Sequence, residues 1–253
     1  MIDGYLDVFL ILAGAFVGSF ITASAKAWPD WSQIVSGRSA CAHCGQKLSP
    51  WELIPIVSFI ILRGRCRNCK TDISGLHPIG EAAALVIAIS AVIAFDGWAT
   101  LLAVLFGWML LFGALVDIRT FLIPDVVSVG LIPTGLLVTF FNAGQQAALM
   151  HAFAAIIGFA SLAIIAVVYR YLRGREGLGM GDAKLLAAGG AWAGLYALPW
   201  IVAIGAGATL LIVAIGHVLG RQAHADSAVP LGPGLAAGCY LAYSLPSFVQ
   251  QLN

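Results

Sequence analysis

Long apolar runs with almost no charge are the feature that most limits what this chain can become. About 20 such residues suffice to cross a bilayer core of about 30 Å, where every backbone N–H and C=O must find its partner within the protein. The runs therefore read as helices. They fall at 5–24, 79–95, 98–116, 125–142, 147–169, 183–197, 199–219 and 231–249, and predict an all-α polytopic membrane protein of about eight transmembrane helices. The sixth run is short and carries Gly189, Gly190 and Gly194, so it reads as tilted or re-entrant. Composition agrees: 60% of residues are apolar and 10% charged, with a mean hydropathy of +0.95, whereas water-soluble domains carry about 25% charged residues.

The 13 basic residues all fall on alternate connections. Lys26, Arg38, Lys47, Arg63, Arg65, Arg67 and Lys70 are in the first, Arg119 in the third, Arg170, Arg173, Arg175 and Lys184 in or beside the fifth, and Arg221 in the seventh. Basic loops stay inside, which predicts a multi-pass membrane protein with that side in the cytoplasm and both termini outside. The opening residues carry Asp3 and Asp7 but no basic side chain, which argues for a retained anchor over a cleaved signal. A net charge of +1 makes no case for a nucleic-acid partner. The lipid bilayer is the implied one.

Three regions follow: a first helix at 1–24, a polar segment at 25–78 and a helix bundle at 79–253. The polar segment holds Cys41-Ala42-His43-Cys44 and, 21 residues on, Cys66-Arg67-Asn68-Cys69. Paired CxxC knuckles suit a tetrahedral four-thiolate zinc site, and a reducing compartment disfavours disulfides. The competing reading is a pair of metal-free redox dithiols. Between the knuckles, Trp51–Leu62 is too short to span, so it lies along the interface or folds back on them. His43 and His77 read as ordinary polar residues and Cys239 as a small packing residue.

Two aspartates carry the chemistry. Asp182 opens the sixth run after Gly179 and Gly181, and Asp117 closes the third. A pair of carboxylates can hydrolyse an amide without a nucleophilic side chain: one takes a proton from water while the other donates to the carbonyl. Their helix dipoles favour the charged form of Asp182 and disfavour that of Asp117. Plainer readings stand beside this one. Asp182 or Asp125 serves as a helix cap, and Asp117 pairs with Arg119 or Lys184. Glu52, Asp72 and Glu81 are further candidates for substrate binding.

These residues together resemble the type IV prepilin peptidase family, membrane aspartic proteases of the Gly-x-Gly-Asp class. The resemblance rests on Gly18-Ser19-Phe20, the CxxC knuckles around Ile54-Pro55-Ile56-Val57-Ser58, and Pro78-Ile79-Gly80-Glu81. It continues through Asp117 to Ile123-Pro124-Asp125, Gly179-Met180-Gly181-Asp182-Ala183-Lys184-Leu185 and Val229-Pro230-Leu231-Gly232-Pro233. It implies removal of a basic leader from prepilins or pseudopilins of pilus and secretion systems, with Asp117 and Asp182 as the dyad. Gly179, Gly181, Asp125 and Lys184 would support them. It also implies N-methylation of the new terminus with S-adenosylmethionine. Thr22 and Ala27 depart from the family's usual asparagine and arginine, Leu53 from an asparagine and His77 from a tyrosine. Two other classes compete: an ion-coupled transporter with aspartates along its path, and a non-catalytic assembly scaffold built on the zinc knuckle.

Overall fold

A computed structural model describes residues 2–32, 39–175, 177–218 and 229–245. The chain forms two compact units, Met1–Leu115 and Val116–Asn253. Helices supply nearly all the regular structure, with two isolated β-bridges at the knuckles.

In the first unit α1 (Ile2–Ala27) lies along α3 (Leu76–Ala94), beyond a short α2 (Val57–Ile61). Between lipid-exposed helices there is little hydrophobic drive, so close backbone approach at small residues supplies the attraction. A Cβ on Gly18 would sit 2.7 Å from the Glu81 Cα, and one on Gly14 3.2 Å from the Leu85 Cα. The opposite face of α1 exposes Tyr5, Phe9, Leu12, Phe16 and Phe20 at helical spacing. Phe95-Asp96-Gly97, with Gly97 at φ 58°, turns the chain into α4 (Trp98–Thr120). There the Trp108 Nε1 donates to the Ala84 carbonyl at 3.1 Å.

The second unit opens with the last turn of α4. It continues through α5 (Asp125–Ser128), α6 (Leu131–Arg173), α7 (Met180–Ala193), α8 (Leu198–Val218) and α9 (Gly232–Ser244). Its core is α7, whose residues 182–192 are buried apart from Lys184. Glycines again set the approach. A Cβ on Gly190 would lie 2.7 Å from the Ala154 carbonyl oxygen of α6, and one on Gly189 2.7 Å from the Cys239 Sγ of α9. Trp192 closes the far end, donating to the Leu131 carbonyl at 2.7 Å and meeting Tyr243 edge-on. Cys239 is fully buried in this packing.

The eight-span expectation is not met. Among the described residues five helical segments are long and apolar enough to cross a membrane: Gly4–Ala27, Leu76–Ala94, Trp98–Thr120, Asp125–Arg173 and Leu195–Gly216. Two expected runs, 125–142 and 147–169, fall within one of these, a 49-residue segment in which two helices meet at Gly144 (φ 85°, ψ 178°), with Thr139 Oγ1 and His151 Nδ1 3.3 Å apart across the turn. Two others form α7 and α9, helices of 14 and 13 residues. At 1.5 Å per residue each reaches only about 20 Å. Both are apolar because protein surrounds them, a state that composition does not separate from immersion in lipid. Residues 246–249 of the last run, like Arg38 and Arg221 in the charge argument, lie outside the described residues. Five is an odd number, so the expectation that both termini lie outside, which needed an even count, is withdrawn along with the orientation built on it.

The close α6–α7 contact generates a test. Gly190→Val drives a branched side chain into the Ala154 backbone and is expected to destabilise the protein by about 1–3 kcal/mol. It should lower the melting midpoint in detergent, whereas Gly4→Val, with open space around the site, should leave it unchanged.

Candidate functional site

Asp117 lies in the last turn of α4, and its carboxylate is turned into protein: 5% of the residue is exposed. The helix ends directly after it. The Phe121 N–H bonds back to the Asp117 carbonyl at 2.9 Å, and Phe121 takes a left-handed φ of 56° that reverses the chain. The reversal brings Ile123 back over the site. Asp117 Oδ2 accepts a hydrogen bond from the Gly232 N–H at 3.1 Å, the first amide of α9. A Cβ at Gly232 would sit 2.6 Å from that oxygen and 3.1 Å from the Ile123 Cδ1. Only glycine lets the amide come so close.

Asp182 stands in the first turn of α7 and is 9% exposed. Gly179 ends the incoming loop in extended conformation, and a Cβ there would touch Asp182 Oδ2 at 3.4 Å. Gly181 packs against the Ile123 Cβ, 3.2 Å from where its own Cβ would be. Ile123 thus adjoins both the Asp117–Gly232 pair and the Gly181–Asp182 turn. Burial pushes the Asp182 carboxyl up to about 6, and the nearby Asp117 charge adds to the rise against an opposing Gly179 backbone bond. Burial therefore outweighs the helix dipole that favoured ionisation of Asp182.

The remaining acids are arranged otherwise. Asp125, 70% exposed, receives Lys184 Nζ at 2.6 Å, and this pair ties α5 to α7. Glu52 accepts from the Ser49 N–H and hydroxyl at 2.8 and 2.7 Å, Asp72 pairs with Arg65 at 3.1 Å, and buried Glu81 accepts from the Ile56 N–H at 2.6 Å. All three are engaged within the first unit. Gly232 and Ile123 are the contacts that residue chemistry did not single out. The signals for Gly232 were its place in the Val229–Pro233 stretch that carries the family resemblance and a glycine-proline pair heading a helix.

Cys41, Cys44, Cys66 and Cys69 bring their Sγ atoms within 4.8 Å of one another, and none forms a disulfide. Metal–sulfur bonds of about 2.3 Å in a tetrahedron require sulfurs about 3.8 Å apart. Cys41 and Cys69 stand at 3.8 Å. Hydrogen bonds from the Thr71 hydroxyl and backbone hold the Cys69 thiol down at about 6, favouring the thiolate that a metal needs. Gly45 (φ 69°) and Lys70 (φ 60°) make the matching left-handed turns after each second cysteine. The donor set fits a metal ion.

Comparison with known proteins covers both units. Residues 12–95 match the Bacterial Peptidase A24 N-terminal domain, and residues 103–216 the Type IV leader peptidase family. A protein of Burkholderia pseudomallei (strain K96243) named prepilin leader peptidase/N-methyltransferase is 37% identical, over 91% of this chain and 82% of its own length. Proteins of the same name from Aeromonas hydrophila and Pseudomonas aeruginosa are 38% and 32% identical. They match over 81% and 92% of this chain and 70% and 88% of their own lengths. No solved structure matches.

Purified protein should carry about one metal ion per chain by elemental analysis. Cys41→Ser should retain a small fraction of it, and full metal content in that variant would refute the four-thiolate site.

Proposed function

The chain belongs to the type IV leader peptidase family, and on that premise we propose that it is a membrane aspartic endopeptidase cleaving the basic leader from type IV prepilins or pseudopilins. Asp117 and Asp182 are its acid–base pair. The observation that carries the assignment is their shared environment: two carboxylates, each less than a tenth exposed, both bordered by Ile123 and electrostatically coupled.

Such a pair hydrolyses a peptide bond without a covalent intermediate. The ionised carboxylate removes a proton from a water molecule as its oxygen adds to the scissile carbonyl, and the protonated partner donates to the carbonyl oxygen. When the tetrahedral species collapses, one of its hydroxyls returns a proton to the pair as the C–N bond breaks, and the pair gives a proton to the leaving amine. One water is consumed, and the dyad ends with the proton it began with. The Gly232 amide holds Asp117 in place, while burial of Asp182 keeps a proton available. Lys184 and Asp125 brace the turn that presents Asp182.

For the four thiolates we propose zinc, with a structural role: four protein ligands close the shell and leave no position for substrate. The relatives' name also includes N-methyltransferase. The first unit has no Gly-x-Gly-x-x-Gly turn for S-adenosylmethionine, and cleavage alone is proposed.

The test is leader removal from a co-expressed prepilin, with the product N-terminus sequenced. Asp117→Asn and Asp182→Asn should each slow cleavage about a thousandfold or more at unchanged protein level; full processing by either removes that residue from the mechanism. Gly232→Ala, which displaces the Asp117 carboxylate, should cost about 10–100-fold. Asp125→Asn breaks only an exposed ion pair and should stay within about fivefold of wild type. With Asp182 protonated below about 6 and ionised above it, the pair loses its acid as pH rises. Cleavage rate should therefore fall through about pH 6, and a rate climbing steadily to pH 9 would refute the assignment.

A further inference from the structure

The four-cysteine lobe carries a cavity that Cys66 borders from the thiolate cluster and that the aspartate pair does not use. It is an open pocket of about 510 Å³, lined by Arg63, Arg65, Arg67 and Lys70 with Leu62 and Cys66, and Asp72 is the one carboxylate on its wall. Arg65 is engaged by Asp72 and Arg67 reaches Glu52 at 3.6 Å. Among the described residues no carboxylate lies within ion-pair distance of Arg63 or Lys70. With Asp72 and Glu52 answering Arg65 and Arg67, a zinc bound by four thiolates would balance the remaining two cations overall, and the positive charge open to a ligand is local to Arg63 and Lys70.

The two unpaired cations occupy strained positions. Arg63 has φ 51° and Lys70 φ 60°, a region that glycine enters freely and other residues avoid. The first knuckle has Gly45 at the position equivalent to Lys70. The second keeps a lysine where the turn itself asks for glycine, and strain retained in this way marks sites in use.

The cavity rim runs directly into apolar surface. Trp51, Val57, Ile60 and Ile61 are exposed by 78, 47, 67 and 73%. The last three share a face of α2, which ends at Ile61 just before Leu62 and Arg63 of the cavity wall. A positive pocket beside an apolar strip has the two-part chemistry of an anionic phospholipid at the headgroup boundary. A basic leader peptide is repelled by the same cations.

We infer that this lobe binds the headgroup of an anionic phospholipid. The phosphate sits in the cavity against Arg63 and Lys70, and the acyl end lies along the strip from Trp51 to Ile61. Binding fixes the lobe against the bilayer surface.

Full-length protein in an uncharged detergent, titrated with phosphatidylglycerol or phosphatidylcholine and read by native mass spectrometry, tests this. Phosphatidylglycerol should bind at least about tenfold more tightly than phosphatidylcholine, with the preference shrinking at high salt. Arg63→Gln/Lys70→Gln should weaken phosphatidylglycerol binding about 25-fold, at about fivefold per surface cation, with metal content retained. Equal affinity for the two lipids, or an unchanged affinity in the double variant, overturns the inference. So does displacement of phosphatidylglycerol by equimolar inorganic phosphate, which would make the cavity a free-anion site. Should the double variant lose its metal, Trp51→Ser/Ile61→Ser touches no cation or thiolate and should weaken binding severalfold. Unchanged binding there also overturns the inference.

Discussion

A carboxylate turned into protein at the end of a membrane-spanning helix persists only if something answers its charge. For Asp117 the answer is a single backbone amide, the Gly232 N–H at 3.1 Å, presented at the positive end of α9. Much of the second unit can be traced back to that bond. Gly232 has no side chain to hold the helix away. Further along α9, Gly238 would place a Cβ 2.5 Å from the Ile201 carbonyl oxygen, so α9 lies against α8 along its length. The same α9 meets α7 through Cys239 and Gly189, and α7 carries Asp182. The Asp117 amide donor and the second aspartate are thus fixed by one set of helix contacts.

Those contacts are made by small residues. In hydrocarbon an exposed leucine gains little by leaving lipid, so helix association relies on close packing and on backbone approach at glycine and alanine. α7 is the extreme case, with Gly189 and Gly190 meeting α9 on one side and α6 on the other. A helix of 14 residues buried in this way from 182 to 192, apart from Lys184, makes a rigid mount. Rigidity matters to the chemistry, because an acid–base pair displaced by an ångström loses much of its effect. The exposed Lys184–Asp125 pair adds orientation more than stability.

The first unit solves a different problem, holding a polar lobe together with little core. Two knuckles bring four sulfurs within 4.8 Å, Glu52 caps its own short turn, and Glu81 reaches from α3 to the Ile56 N–H, where φ is 62°. A β-branched residue in that conformation is costly, and the buried carboxylate holds it there. These devices are local and polar, in contrast to the glycine packing of the second unit.

Local pattern made much of this legible. The apolar runs announced helices, the CxxC spacing announced the sulfur cluster, and the paired glycines before Asp182 announced an unusual turn. Span counting failed at α7 and α9, whose apolar residues face protein rather than lipid. Hydropathy measures aversion to water and is blind to what replaces the water. By itself the sequence determined where helices form, which thiols can share an ion and which carboxylates stand at helix ends, since each follows from neighbours a few residues away. Tertiary structure alone decided that Asp117 would meet the amide of Gly232, 115 positions on, that Ile123 would border both aspartates, and that Asp125 would turn outward to Lys184. Those outcomes depend on which helices can approach closely, a property of the packed whole that no local stretch encodes.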